Sequence, residues 1–169
     1  MSVVHIRRFY AGEEQVLRGV FFSSVHGIAR SHYTVEQRNV WAPIEYDSET
    51  WANRIRRNGP WVAERDGAIA GFADVQPNGY IDQFFVAEYA AGQGIGGALM
   101  RHLETHAKAL NVSRLTSHVS LSAQPFFRRF GFSLEAAQTV IIQGISLENA
   151  RMFKVLPTQT LLKPDEPPP

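Results

Sequence analysis

No cysteine occurs in the 169 residues. That absence excludes disulfide staples, thiolate-bound metals, iron–sulfur clusters and a cysteine nucleophile together. An excess of either charge is also missing: 17 Lys and Arg stand against 16 Asp and Glu, for a net charge of +1. So balanced a chain does not suit duplex nucleic acid or an anionic membrane, which select for a basic excess. No apolar run approaches the ~18 residues that cross a bilayer. The start, MSVVHIRRFY, lacks the long apolar stretch of a signal peptide, so the expected compartment is the cytoplasm. No internal repeat is visible. What is present is core material, 44% hydrophobic and 11% aromatic. That is enough for one domain, expected over residues 1–156. Residues 157–169, ending in KPDEPPP, read as a solvated tail.

The pattern of residues orders the chain. Val3–Arg7 reads as a short strand. Val16, Leu17, Val20, Phe21, Ser24, Val25 and Ile28 recur at three- and four-residue spacings, a helix with one apolar face. Thr34-Val35-Glu36-Gln37 is a capping box opening a second helix that stops before Pro43. Asp47 or Ser48 caps a third, closed by Asn58-Gly59-Pro60. The period then becomes extended. Trp61–Arg65 and Ala68–Val75 flank Asp66-Gly67, a hairpin signal, and Tyr80–Val86 reads as one further strand. A long helix carries Ile95, Leu99, Leu103, Ala107 and Leu110, and Asn111 can cap its end. Arg114–Val119 is a strand and Gln124–Arg129 a short helix. Thr139–Ile142 and Arg151–Val155 suit two final strands around Gly144. The expected class is α+β, a mixed, mostly antiparallel central sheet flanked by helices.

Gly92-Gln93-Gly94-Ile95-Gly96-Gly97 lies between a strand and a helix. Glycines let main-chain N–H groups approach a ligand, and the helix start adds positive potential, so the segment reads as a pyrophosphate cradle. Gly92, Gly94 and Gly97 also match G-x-G-x-x-G. A dinucleotide fold wants an acidic residue about 20 positions on, and none occurs between Glu104 and Glu135. A Walker loop fails because Ala98, not Lys, follows Gly97. His102 and His106 are four apart, but H-x-E-x-H lacks the H-E-x-x-H order of a zinc helix, and both are expected on a solvent face. No metal is expected.

FFVAEYAAGQGIGGALM resembles the acetyl-CoA loop of the GNAT N-acetyltransferase superfamily, with Gly94 and Gly96 as its motif glycines and Ala91 where the family has Gln or Arg. SLSAQPFFRRFGF resembles the family's second signature, and VHGIARSHYTVEQRNVWAP, YIDQFFV and QGISLENARMF are similar to the bacterial YafP-like branch. The resemblance implies the acyl-CoA N-acyltransferase fold, splayed between its fourth and fifth strands. It implies acetyl-CoA as co-substrate and a small-molecule or peptide amine as acceptor. It gives Phe84, Phe85 and Val86 to the pantetheine arm and Ala91, Gly92, Gln93, Gly94, Ile95, Gly96 and Gly97 to the diphosphate. Ser120 stands where the family often has an Asn contacting pantetheine. Phe126 and Phe127 pack on the cofactor or the core. Dimers are common among similar proteins.

The resemblance implies direct transfer, so a base must take a proton from the amine. Asp82 is the first candidate. It is expected mid-strand on the face of Phe84 and Val86, with burial raising its pKa. Tyr80 occupies the position of a catalytic Glu in some members, and His118 is the reserve. The tyrosine that usually protonates the leaving thiolate is replaced by Phe127, which leaves Ser120, Ser122, Tyr33, water or an unassisted thiolate. His26, Tyr33, Gln37 and Trp41 are expected to line the acceptor pocket. Arg128-Arg129 could reach the phosphates. A second reading, a CoA-binding sensor or interaction module without catalysis, follows from the departures at Ala91 and Phe127.

Overall fold

Asp82 and Gln83 interrupt what the sequence reads as a single strand, and this interruption divides the sheet. The computed structural model describes residues 2–157; the tail beyond Pro157 lies outside the described residues. In chain order the elements are β1 (His5–Arg8), α1 (Glu14–Gly27), a 3₁₀ turn (Ile28–Ser31), α2 (Val35–Trp41) and α3 (Ser48–Asn58). Next come β2 (Trp61–Arg65), β3 (Ala68–Ala73), β4 (Tyr80–Ile81), β5 (Phe84–Val86), a second 3₁₀ turn (Glu88–Ala90) and α4 (Ile95–Ala109). The last are β6 (Arg114–Ser120), α5 (Gln124–Arg129), β7 (Ser133–Ile142) and β8 (Ile145–Val155). Strands form two four-stranded sheets, β1-β2-β3-β5 and β4-β6-β8-β7. All pairs are antiparallel except β4 with β6.

The local signals act as expected. The Thr34 hydroxyl accepts from the Gln37 amide at 3.2 Å, while Gln37 Oε1 accepts from the Thr34 amide at 2.9 Å. The Asp47 carboxylate accepts from the amides of Glu49 and Thr50, each at 3.0 Å. Asp66 (φ 52°) and Gly67 (φ 78°) form the two-residue turn between β2 and β3. Gln143 (φ 49°) and Gly144 (φ 80°) repeat it between β7 and β8.

Two expectations need correction. The Tyr80–Val86 run belongs to both sheets: Tyr80 and Ile81 pair with Thr116 and Ser117, whereas Phe84, Phe85 and Val86 pair with Ala73, Phe72 and Gly71. The splay opens where it is expected, between the Tyr80–Val86 run and the Arg114–Val119 strand, here β5 and β6, with the chain crossing from one sheet to the other at Asp82-Gln83. The last two strands are also far longer than Thr139–Ile142 and Arg151–Val155. β7 is an edge strand, mostly exposed, so its first half, SLEAAQ, has no apolar alternation to announce it.

Helices cover the two faces unequally. On one side α4 buries Leu99, Met100, Leu103 and Ala107 against Ala63, Leu115, Val119 and Met152. On the other, α1 and α3 bury Leu17, Phe21, Trp51 and Ile55 against Val62 and Phe72. Alternation along β2 sends Val62 and Ala63 to opposite layers. The gap between the sheets thus has one mouth on the α4–α5 side and another on the α1–α3 side.

Candidate active site

A buried carboxylate makes the break. Asp74, just past β3 and 1% exposed, accepts from the amides of Asp82 and Gln83 at 3.1 and 3.0 Å. Gln76 Nε2 and Asn58 Nδ2 complete its shell at 3.0 and 3.3 Å. Burial pushes its carboxyl up to about 6 against the pull of these donors. The clasp takes the amides that would otherwise continue the ladder, so β5 starts afresh at Phe84. From there, Asp74 N–H donates to Gln83 O at 3.1 Å and Ala87 N–H to Ala70 O at 2.8 Å, with Phe85 opposite Phe72 between them. In an antiparallel ladder the intervening residues turn their groups to the other edge. Phe84 and Val86 therefore present unpaired N–H and C=O groups to the gap.

On the α4 side of that edge lies a cavity of about 590 Å³. Phe84, Val86, Ala91, Gly92, Gly94, Ile95, Gly96 and Gly97 line it, with Ser122, Phe126, Phe127 and Arg129 opposite. The chain reaches α4 through Gly92 (φ 71°) and Gly94 (φ 83°), left-handed positions that suit glycine. A Cβ on Gly96 would stand 3.1 Å from the Phe126 ring. The first intrahelical bond of α4 runs from Ala98 N–H to Gly94 O, so the amides of Ile95, Gly96 and Gly97 have no helical acceptor and face a helix start. The Ser122 hydroxyl is buried on the same wall with no partner. Phe126, Phe127 and Phe84 pack as a cluster with centroids 5.4–5.8 Å apart. Such a lining fits a ligand with an apolar arm and an anionic end.

The second cavity, about 390 Å³, lies on the α1–α3 side. Phe21, Tyr33, Trp41, Trp51 and Phe85 give it aromatic walls, and Arg18, Arg54, Asp82, Gln83, His118 and Asn149 its polar groups. Phe84 opens on one cavity and its neighbours Gln83 and Phe85 on the other, so the two meet at the break. Tyr33 is fixed at this wall. Its hydroxyl donates to Glu148 O at 2.5 Å and accepts from Leu121 N–H at 2.9 Å.

Several expected positions move. Asp82 lies between strands and shares its cavity with Phe85, not with Phe84 and Val86. Its carboxylate is held bidentate by Arg54 at 2.8 and 2.9 Å and by Asn58 at 2.6 Å. Burial would raise its pKa, but Arg54 and Asn58 outweigh burial and hold it below the usual carboxylate range, the reverse of the expected rise. Ser120 lines the aromatic cavity rather than the glycine one, and its hydroxyl accepts from Ala123 N–H at 3.2 Å. Gln93 faces away, tied to Arg65 and to Tyr89 O. His26 is engaged by Ala42 O at 2.8 Å and packs, tilted, on Phe22 at 4.2 Å. Gln37 is spent on its cap and on Ser146 O at 2.9 Å. Neither lines the aromatic cavity. Tyr80 packs edge-on against His118 at 5.7 Å, and His118 Nδ1 sits 3.2 Å from the Gln138 amide. His102 and His106 are not on a solvent face: both pack on Trp61, at 4.1 and 5.5 Å, and burial lowers both pKa values. No cluster of three or more metal-ligating side chains occurs among the described residues. No helix among them is long and apolar enough to cross a membrane.

Asp74, Gln83, Arg18, Arg54 and Asn149 escaped the sequence reading. Only Asp74 carries a local signal, a carboxylate closing the apolar run AIAGFA. The others come from four distant segments.

The comparisons agree with one another. The model of the Acetyltransferase (GNAT) domain matches residues 29–152. The chain is 31% identical over 152 residues to the uncharacterized N-acetyltransferase YafP of Escherichia coli (strain K12), covering 90% of this chain and 96% of YafP. A GCN5-related N-acetyltransferase from Rhodopseudomonas palustris shares 29% identity and a TM-score of 0.87, over 92% of this chain and 98% of that one. PaiA N-acetyltransferase from Thermoplasma acidophilum, solved in complex with coenzyme A, shares the fold at a TM-score of 0.71 and 17% identity, over 91% and 99% of the two chains.

Proposed function

This chain belongs to the GNAT acetyltransferase family, and on that premise we propose that it moves the acetyl group of acetyl-CoA directly onto a primary amine held in the aromatic cavity. The observation that carries the reading is the open edge of β5 beside the uncapped start of α4. Phe84 and Val86 offer N–H and C=O groups to an amide-bearing arm, as a neighbouring strand would. The amides of Ile95, Gly96 and Gly97, with the glycine turn before them, receive the diphosphate. Acetyl-CoA supplies an activated acyl carbon. The Phe84 amide, one residue from the break, polarises the thioester oxygen.

Residues of the aromatic cavity handle the acceptor. Asp82 stays ionised beside Arg54, which makes it a holder of the ammonium rather than its base. His118, on the wall of the same cavity, takes the first proton from the ammonium and passes it to solvent. The amine nitrogen attacks the carbonyl carbon, the C–N bond forms and the C–S bond breaks. A second proton, lost by the nitrogen as the amide forms, ends on the released thiol. Ser122, whose hydroxyl lacks a partner on the glycine-cavity wall, is the group that serves the sulfur in place of the absent tyrosine.

A second reading, CoA binding without catalysis, draws on Phe127, which is 2% exposed and has no hydroxyl. Thiol release from acetyl-CoA across a panel of amines separates the two, and a cysteine-free chain adds no background. Turnover with at least one amine is expected. Raised thermal stability with acetyl-CoA but no turnover with any amine would leave only the second reading.

A further inference from the structure

Three polar groups of the aromatic cavity lack a complementary partner. At the break, Gln83 is 2% exposed and its Oε1 has no hydrogen-bond partner; neither has the buried Oδ1 of Asn149. Both are acceptors without donors on a cavity wall, a costly arrangement unless a ligand N–H meets them. At the other end stands Arg18, 9% exposed. Its Nη2 donates to Pro43 O at 2.8 Å, and its guanidinium carbon lies 3.9 Å from the Tyr46 ring, 5.0 Å from Phe21 and 5.2 Å from Trp51. Among the described residues no carboxylate pairs with it, unlike Arg54, which is committed to Asp82. A buried guanidinium with one neutral acceptor has unused donors suited to a planar anion. Between the two ends Phe21 packs on Phe85 at 4.8 Å, and Phe85, two residues from Gln83, lines the same cavity.

We propose that the acceptor is a primary amine on a flat apolar body whose far end bears a carboxylate, the amine at Gln83 and Asn149 and the carboxylate on Arg18. This rests on the acetyl-transfer reading and narrows it. An α-amino acid places its two groups too close together to reach both ends. A neutral amine leaves Arg18 unused.

The test uses the full chain, acetyl-CoA and three probes: 4-(aminomethyl)benzoate, 4-(aminomethyl)benzamide and benzylamine. The acid should exceed the amide in kcat/KM on the order of 10- to 100-fold, the usual worth of a desolvated charge-assisted pair. The acid, and not the amide, should raise the melting temperature. In Arg18→Gln the acid-to-amide ratio should collapse toward one. Should that variant fail to fold, Arg18→Lys decides: it keeps the charge but not the fork, and the ratio should fall several-fold. An equal preference for acid and amide in the native chain overturns the proposal, as does a ratio that survives either substitution. No turnover of any probe, with acetyl-CoA still raising the melting temperature, also overturns it but leaves the acetyl-transfer reading standing. No response to acetyl-CoA at all removes that reading instead.

Discussion

The two cavities share one strand break and are built by opposite means. The glycine cavity is a main-chain device: unpaired amides of β5, a helix start, and side chains small enough to leave them bare. The aromatic cavity is a side-chain device, with five rings, two guanidiniums and amides drawn from both sheets and all three front helices. A diphosphate and a pantetheine arm can be gripped by any backbone of the right shape. An acceptor has to be told from other amines, and only side chains carry that information.

That contrast can be tested from its strongest side downward. Gly94→Val and Gly96→Val should weaken acetyl-CoA roughly 100-fold or more, because a branched side chain at φ 83° strains the turn and one at 96 fills the wall facing Phe126. Loss of thermal stabilisation by acetyl-CoA, with an unchanged circular dichroism spectrum, is the readout. On the other cavity, Asp82→Asn should lower kcat/KM for the amine about 10- to 100-fold while the acetyl-CoA Kd holds. His118→Ala should lower kcat for the amine roughly 100-fold or more with the acetyl-CoA Kd unchanged. If Asp82→Asn weakens acetyl-CoA equally, the division between the cavities is false.

Asp74→Asn should act on both cavities through the break itself. An amide there points a donor at the amide of Asp82 or Gln83, and chemical denaturation should find about 1–3 kcal/mol lost. The pH dependence is distinctive. With its carboxyl held up to about 6 in the folded state, folded Asp74 binds more protons than unfolded Asp74 above about pH 4. Its share of stability therefore falls as pH rises through that window. Asp82, held low, contributes stability that is present above its unfolded value and lost as pH falls through its folded one. Asp74→Asn should flatten the first trend and leave the second. The smallest effect belongs to Gln93→Ala. It sits amid the glycine loop but faces Arg65, and should change acetyl-CoA affinity less than about twofold; titration calorimetry would measure it.

The same contrast explains what could be read from residues alone. Gly92–Gly97, the Thr34 capping box and the Asp66-Gly67 turn are local statements, complete within a few positions, and each sits where its chemistry puts it. The class of fold followed from the order of such elements, and the gap from the family resemblance. The strand break did not, because its cause, Asp74, acts eight residues away from Asp82. The ionised state of Asp82 depends on Arg54 and Asn58, the latter closing a helix whose sequence speaks only of capping. His26 and Gln37 read as pocket residues because they neighbour Trp41 and Tyr33 in sequence, yet their polar atoms are consumed by Ala42 and Ser146. Gln83, Asn149 and Arg18 gain meaning only once the hairpin of β7 and β8 is folded over the front helices.

The Tyr33 hydroxyl joins that hairpin to the 120s loop and the front of the molecule through two main-chain bonds at once. A wall riveted in this way has its dimensions before any acceptor arrives. Little ordering entropy is then spent on binding, and selection among amines becomes a matter of which molecule already has the right length and polarity. A change of acceptor in a related chain would accordingly be written in substitutions along an unchanged mould, with Tyr33 among the last residues to vary.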